Sequence, residues 1–176
     1  MKTILDKQKF NVVIERLSHQ LIENHADFSN TVLIGMQPRG IFLSDRIVSY
    51  LQSIIKSPIQ YGKLDITFYR DDFNTSNEIH IPNKTEIDFS IDHKKVVLID
   101  DVLFTGRTIR SALDALIDFG RPEKVELMVL IDRRYSRQLP IQPDYTGLVI
   151  DSMNTQKVKV AWKEKEGKDE VTMISQ

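Results

Sequence analysis

The sequence predicts an α/β fold, a central mostly parallel sheet flanked by helices. Three apolar runs of strand length, "TVLIGM" (31–36), "KVVLID" (95–100) and "KVELMVLID" (124–132), alternate with amphipathic helical stretches. Strands covered on both faces read as near-continuous apolar runs, and strand–helix–strand alternation sets them side by side in parallel. No internal repeat or low-complexity segment divides the 176 residues. That length suits one domain, 1–176, with a sizeable core.

Asp6 is a candidate cap for a first helix, in which Phe10, Val13, Ile14, Leu17 and Leu21 recur at helical spacing. Phe10, Val13 and Leu17 suit a core and a subunit interface equally well. After the strand 31–36, "QPRG" (37–40) reads as a turn and 41–55 as an amphipathic helix. "LDITFYR" (64–70) alternates and is rich in β-formers, so a strand is expected there. The polar residues 71–86 read as a mobile surface loop. The strand 95–100 is followed by a loop and a helix to about Phe119, which Gly120 and Pro122 end. After the strand 124–132, "RRYSRQLPIQPDYTG" (133–147) reads as a loop, and 157–174 as a terminal hairpin turning near Gly167.

Composition narrows the function classes. Hydrophobic residues make up 41%, charged residues 28%, and the net charge is −1. There is no global pull toward nucleic acid or membrane, although a local basic patch is compatible with this balance. The chain has no cysteine, so disulfide and thiolate chemistry are excluded. No run of about 18 apolar residues spans a bilayer, and the first ten residues lack a signal-peptide core. A cytoplasmic protein with no membrane partner is expected.

The chemistry concentrates where the strand 95–100 ends on Asp100 and Asp101. Ligands of open parallel sheets bind beyond the carboxyl ends of the strands. Behind the acids, residues 102–108 lead into a helix whose free N–H groups and dipole favour an anion. Gly106 lets the backbone approach a ligand, and Thr105 and Thr108 add hydroxyls. The loop suits a phosphate, whereas the carboxylates suit sugar hydroxyls, Mg²⁺ or a developing positive charge. An Asp at a strand end also commonly caps a helix or closes a turn. Neither G-x-x-x-x-G-K-[ST] nor G-x-G-x-x-G is present, which argues against a nucleotide-hydrolase or dinucleotide site.

"VVLIDDVLFTGRTIRSALDAL" (96–116) resembles the phosphoribosyl pyrophosphate signature of the type I phosphoribosyltransferases. Leu-Phe before Thr-Gly, Arg107 after it, and "LIGMQPRGIFL", "LDITFYRDD", "GRPEKVELMVLIDR" and "LPIQPDYTG" are similar to the bifunctional pyrimidine operon regulator/uracil phosphoribosyltransferase branch. The resemblance covers nearly the whole chain. It implies a type I phosphoribosyltransferase fold with a flap at about 70–86 and a small hood with the terminal hairpin at about 132–176. It implies transfer of ribose 5-phosphate from phosphoribosyl pyrophosphate to uracil, giving UMP and pyrophosphate, with Mg²⁺ as cofactor.

The implied roles follow the matching positions. Asp100, Asp101 and Arg39 are the catalytic candidates. Pro38, Arg39 and Gly40 form the pyrophosphate loop, where Pro38 replaces the usual Thr. Arg70 opens the flap. Val102, Leu103, Phe104, Thr105, Gly106, Arg107 and Thr108 line the sugar-phosphate site. Asp132 and Arg133 lie near the base, although Arg134, Tyr135 and Ser136 replace the family's Gly-His pair with one residue more. The metal has no ligand set from the protein alone; it is carried by pyrophosphate, with Asp100 and Asp101 as candidate partners.

The family's second activity, binding the leader of its operon's mRNA, implies a basic surface with Arg16, His19, Arg134 and Arg137. Asn24 and Asn154 stand where basic residues are usual. A homo-oligomer, dimer or tetramer, is implied. Two alternatives stay open: an RNA-binding attenuator that senses UMP with little catalysis, and a phosphoribosyltransferase for another base such as hypoxanthine.

Overall fold

The computed structural model describes residues 2–70, 82–152 and 155–175. Strand β1 (Lys2–Leu5) is followed by helix α1 (Lys7–His25), β2 (Thr31–Met36), α2 (Gly40–Ile54) and β3 (Gln60–Leu64). Then come β4 (Lys95–Leu103), α3 (Arg107–Leu116), β5 (Lys124–Arg134), β6 (Tyr145–Asp151), β7 (Gln156–Ala161), the short α4 (Lys163–Glu166) and β8 (Glu170–Ser175). Five strands form one sheet in the order β3-β2-β4-β5-β6, every neighbouring pair parallel. Strands β1, β8 and β7 form a second, antiparallel sheet.

The central strands are apolar because both their faces are covered. All six residues of β2 are buried. In β4, Val97 and Ile99 join the core that α1, α2 and the small sheet enclose, whereas Val96 and Leu98 join the core beneath α3. Asp6 caps α1, accepting the Lys9 N–H at 2.9 Å, and Phe10, Ile14, Leu17 and Leu21 are buried along one stripe. Phe10 and Leu17 are completely buried in the chain's own core, which removes them as interface candidates. Among the described residues no helix is long and apolar enough to cross a membrane.

Two sequence expectations need correction. The β-rich stretch 64–70 is not a strand: β3 ends at Leu64, and Thr67–Tyr69 form a single 3₁₀ turn. Asp65 turns the chain there, its carboxylate accepting the Thr67 N–H at 3.1 Å and hydroxyl at 2.7 Å. The stretch 133–147 is shorter as a loop, because β5 continues to Arg134 and β6 begins at Tyr145. The edge strand β6 and the N-terminal strand β1 are findings of the structure, since short edge strands lack the apolar run of central ones. The terminal hairpin is present, with α4 at its turn and Gly167 in the left-handed region at φ 77°. Of the flap segment, residues 71–81 lie outside the described residues, as does Asn154.

At the opposite end of the sheet from the aspartate pair, a buried polar cluster closes α1 onto β5. His25 Nε2 contacts Glu126 at 2.9 Å, its Nδ1 contacts the Thr31 hydroxyl at 3.0 Å, and Tyr145 donates to Glu126 at 2.8 Å. Burial is the largest influence on His25 and lowers its pKa from 6.5, against the raising effect of Glu126. Burial raises Glu126, but hydrogen bonds from Lys124 and Tyr145 outweigh it and leave the carboxyl lowered. The unfolded chain thus binds a proton that folded His25 resists. His25's contribution to stability is complete above pH 6.5 and is lost as pH falls. The thermal midpoint is expected to fall between about pH 7.5 and about pH 5.5, with a shallower fall in His25→Gln; scanning calorimetry of both proteins reads the two slopes.

Candidate active site

The carboxyl ends of β2, β4 and β5 converge on one rim of the sheet. Asp100 and Asp101 sit there at 8% and 7% exposure. The Asp101 N–H donates to Asp100 Oδ1 at 2.8 Å. Burial, and secondly the Asp101 charge, push the Asp100 carboxyl well above the ordinary range. Burial also raises Asp101, opposed by the guanidinium of Arg39.

Arg39 stands at the entry to α2 and has a partner on each nitrogen. Nε donates to Asp101 Oδ2 at 3.0 Å, Nη1 to Glu166 Oε1 at 3.2 Å, and Nη2 to the Val160 carbonyl at 2.5 Å. The Gln37–Pro38 peptide before it is cis, and Pro38 is exposed. The next residue must be glycine for steric reasons. A Cβ on Gly40 would lie 2.5 Å from the Ile99 carbonyl oxygen and 2.9 Å from the Asp100 Cα. The α2 entry and the end of β4 therefore touch through backbone.

The loop 104–108 lies beside them. Gly106, at φ 92°, precedes the first turn of α3, a conformation that favours glycine. Its neighbour Thr105 accepts the N–H groups of Gln138 and Leu139 at 3.0 and 3.2 Å through its carbonyl. Arg107 Nε donates to Gln138 Oε1 at 2.8 Å. Thr108 is half-buried and Arg107 exposed. Leu103 turns its side chain into the core beneath α3 and Val102 packs against the opposite core, so these two border the loop through backbone only. Arg70 is half-buried at the end of the 3₁₀ turn.

Asp132 and Arg133, consecutive on β5, point to opposite faces. Asp132 pairs with Arg137, which also donates to the Phe104 carbonyl at 2.6 Å. Arg133 donates to Ser152 Oγ at 2.9 Å and the Gln156 carbonyl at 2.7 Å, with its guanidinium 4.0 Å from the Phe104 ring centroid. A cleft of about 550 Å³ opens over Asp132, Arg134, Tyr135, Arg137, Ile141 and Val149.

Sequence reasoning grouped Arg137 with Arg16, His19 and Arg134. Arg137 is engaged in the cleft, whereas Arg16 and His19 lie on the exposed face of α1. Arg16 donates to the Gly147 carbonyl, His19 Nε2 lies 3.1 Å from the Tyr50 hydroxyl, and Arg134 pairs with Asp151 at 2.8 Å. Two residues at the rim went unnoticed in the sequence, Glu166 and Trp162. Both lie in the stretch 157–174 expected as the terminal hairpin, where neither residue carries a local signal of a site. Trp162 is completely buried. Among the described residues its ring N–H has no partner within hydrogen-bond distance, yet it faces Asp101 and helps to hold that carboxyl down.

Residues 1–165 match the family model described as a phosphoribosyl transferase domain. The chain is 45% identical over 170 residues to "Bifunctional protein PyrR" of Desulfosudis oleivorans, covering 97% of this chain and 94% of that protein. It is 41% identical to the protein of the same name from Elusimicrobium minutum, over 98% of this chain and 96% of that one. Among solved structures, a hypoxanthine phosphoribosyl transferase of Trypanosoma cruzi shares the fold at TM-score 0.74, with 15% identity, 98% of this chain and 90% of that one covered. A Staphylococcus aureus hypoxanthine phosphoribosyltransferase shares it at TM-score 0.67 and 20% identity, over 85% and 77% of the two chains.

Gly40→Ala is expected to cost about 1–3 kcal/mol, because the added methyl meets backbone that cannot swing aside. Denaturant unfolding of the variant beside the wild type measures this; an unchanged midpoint would show that β4 and α2 separate easily at this contact.

Proposed function

Since the chain belongs to the phosphoribosyl transferase family, we propose that this rim is the site of a uracil phosphoribosyltransferase. The reaction joins uracil to the ribose 5-phosphate of phosphoribosyl pyrophosphate, giving UMP and releasing pyrophosphate. The observation that carries the reading is the juxtaposition of Arg39 and Asp101 at 3.0 Å, beside a glycine turn that opens α3.

Each part of the substrate has matching chemistry there. The N–H groups and hydroxyls of residues 105–108, at a helix N-terminus, suit the 5-phosphate. Arg39 presents a guanidinium fork, 32% exposed, to the diphosphate. Asp100 and Asp101 accept from the ribose hydroxyls. As the bond to pyrophosphate breaks, the sugar carbon gains positive charge, and carboxylates already in place favour that state over the ground state. Asp132, Arg137 and the cleft beside them border the base, with Arg133 holding Phe104 from the other face.

The residues present fit a magnesium ion. Asp100 and Asp101 offer hard oxygens, and among the described residues no three His, Cys, Asp or Glu side chains converge on a metal site. The two aspartates would hold the ion together with oxygens of the substrate. When bound, Mg²⁺ offsets the charge of the diphosphate as it leaves.

The relatives are named "Bifunctional protein PyrR", and the second function we assign is binding of a leader mRNA in the cytoplasm. Arg16 and His19 on the exposed face of α1 are its candidate contacts. The chain works as a homo-oligomer in this reading.

Pyrophosphate release is expected when phosphoribosyl pyrophosphate and Mg²⁺ are supplied with uracil, and not with hypoxanthine, guanine or orotate. Release with a purine alone would transfer the assignment to another base; release with none, in a protein that binds UMP, would leave a sensor. Arg39→Ala is expected to weaken phosphoribosyl pyrophosphate binding by about tenfold or more, on the scale of a lost charge-assisted hydrogen bond. UMP, which lacks the diphosphate, is expected to change far less, and equal losses for the two ligands would refute the role.

A further inference from the structure

We infer that Glu166 is a positioning residue of the diphosphate site, its carboxylate resting on Arg39 where the diphosphate binds and giving way when phosphoribosyl pyrophosphate arrives. This deepens the reading above and rests on Arg39 as the diphosphate ligand.

The geometry separates the two carboxylates that Arg39 holds. Asp101 takes the inner Nε, and its side chain is 10% exposed. Glu166 takes Nη1, the side chains of this second pair being 32% and 21% exposed. The Glu166 contact is therefore the one that water and an incoming anion reach. Its 3.2 Å length is the longest of the three Arg39 bonds.

Glu166 is not a loose surface group, because its other oxygen accepts the Trp162 backbone N–H at 2.8 Å. The turn that carries it is fastened to α2 by Arg46, which bonds Glu164 at 2.8 Å and Asp169 at 2.7 Å. Glu166 can release Arg39 and stay anchored through Trp162. A single carboxylate is a weak competitor for a guanidinium against a diphosphate with several negative oxygens. The exchange taxes the binding of substrate and of product pyrophosphate alike. It acts on bound states and not on the transition state alone, so it appears in KM and in pyrophosphate release and adds nothing to the chemical step.

A strut and a competitor make opposite predictions. If Glu166 only braced Arg39, its removal would loosen the arginine and weaken diphosphate binding. If it competes, its removal strengthens that binding. Glu166→Gln keeps an oxygen for the Trp162 N–H and removes the charge. Calorimetric titration with inorganic pyrophosphate in the presence of Mg²⁺, and separately with UMP, compares wild type, Glu166→Gln and Glu164→Gln.

Pyrophosphate affinity is expected to rise about three- to tenfold in Glu166→Gln, the scale of one exchanged charged contact. UMP affinity should stay within about twofold, and the KM for phosphoribosyl pyrophosphate should fall without a rise in kcat. Glu164→Gln, on the same turn but bonded to Arg46, should match wild type in both titrations. Unchanged or weaker pyrophosphate binding by Glu166→Gln overturns the inference. Glu166→Asp, too short to reach both partners, is the second variant and should tighten pyrophosphate in the same direction; its failure to do so counts equally against it. A wild type that binds pyrophosphate and UMP while Glu166→Gln gains nothing removes only the role of Glu166. A wild type that binds neither ligand removes the functional reading and this inference together.

Discussion

Two carboxylates buried side by side at the end of a parallel strand are costly, and much of the rim is arranged around that cost. Burial pushes both Asp100 and Asp101 upward, and at Asp100 the neighbouring Asp101 charge adds to it. A group whose folded pKa lies above its unfolded value opposes folding once the pH rises past the unfolded value. At neutral pH the pair therefore works against the fold, and the guanidinium of Arg39, bonded to Asp101, offsets part of that cost. The placement is intelligible as a stability cost carried by a functional site. A sugar that turns cationic in its transition state has use for negative charge held in advance.

Arg39 cannot meet that need from a flexible position. It is held where β4 and α2 meet through Gly40 and Ile99 with no room for a side chain. Seven residues further along α2, on the same side, Arg46 lies over the rings of Phe10 and Trp162, at 5.6 and 5.1 Å, while it binds Glu164 and Asp169. One helix thus carries two arginines that seize the same terminal hairpin. The inner one pairs with Asp101 at the rim, and the outer one fastens the hairpin to the core. The small sheet closes the arrangement, since β8, the second strand of that hairpin, pairs with β1.

The main sheet was legible in the sequence because central parallel strands must be apolar on both faces, which β2, β4 and β5 satisfy. The aspartate pair and the glycine turn were legible because their chemistry is local: strand end, loop and helix start follow one another in the chain. What escaped was non-local or edge-like. Strand β6 is exposed at Val149 and carries no side chain at the buried Gly147, so it lacks the apolar run of a central strand. The β-rich stretch at 64–70 misled because one carboxylate, Asp65, captures Thr67 and bends the chain, a contact that residue propensities do not register. Glu166 and Glu164 sit in the stretch read as a terminal hairpin, where nothing local marks them as partners of the rim. Their partners, Arg39 and Arg46, are more than a hundred residues away in sequence.

The loop after β5 concentrates its strained backbone at one position. Tyr135 adopts φ 67° and stands 77% exposed, in a region that costs a bulky residue about 1–2 kcal/mol. Strain of this kind persists where the surroundings hold it. Around Tyr135 they do: Arg134 is tied to Asp151, and Ser136 is buried directly after it. Two residues later, Arg137 reaches both Asp132 and the Phe104 carbonyl, and Gln138 and Leu139 hydrogen-bond to Thr105. The turn is thus made at one exposed, left-handed position, while the chain on either side stays tied to β5 and to the glycine turn. A change in this loop therefore falls on the wall of the cleft beside Asp132 and leaves Asp100, Asp101 and Arg39 where they are.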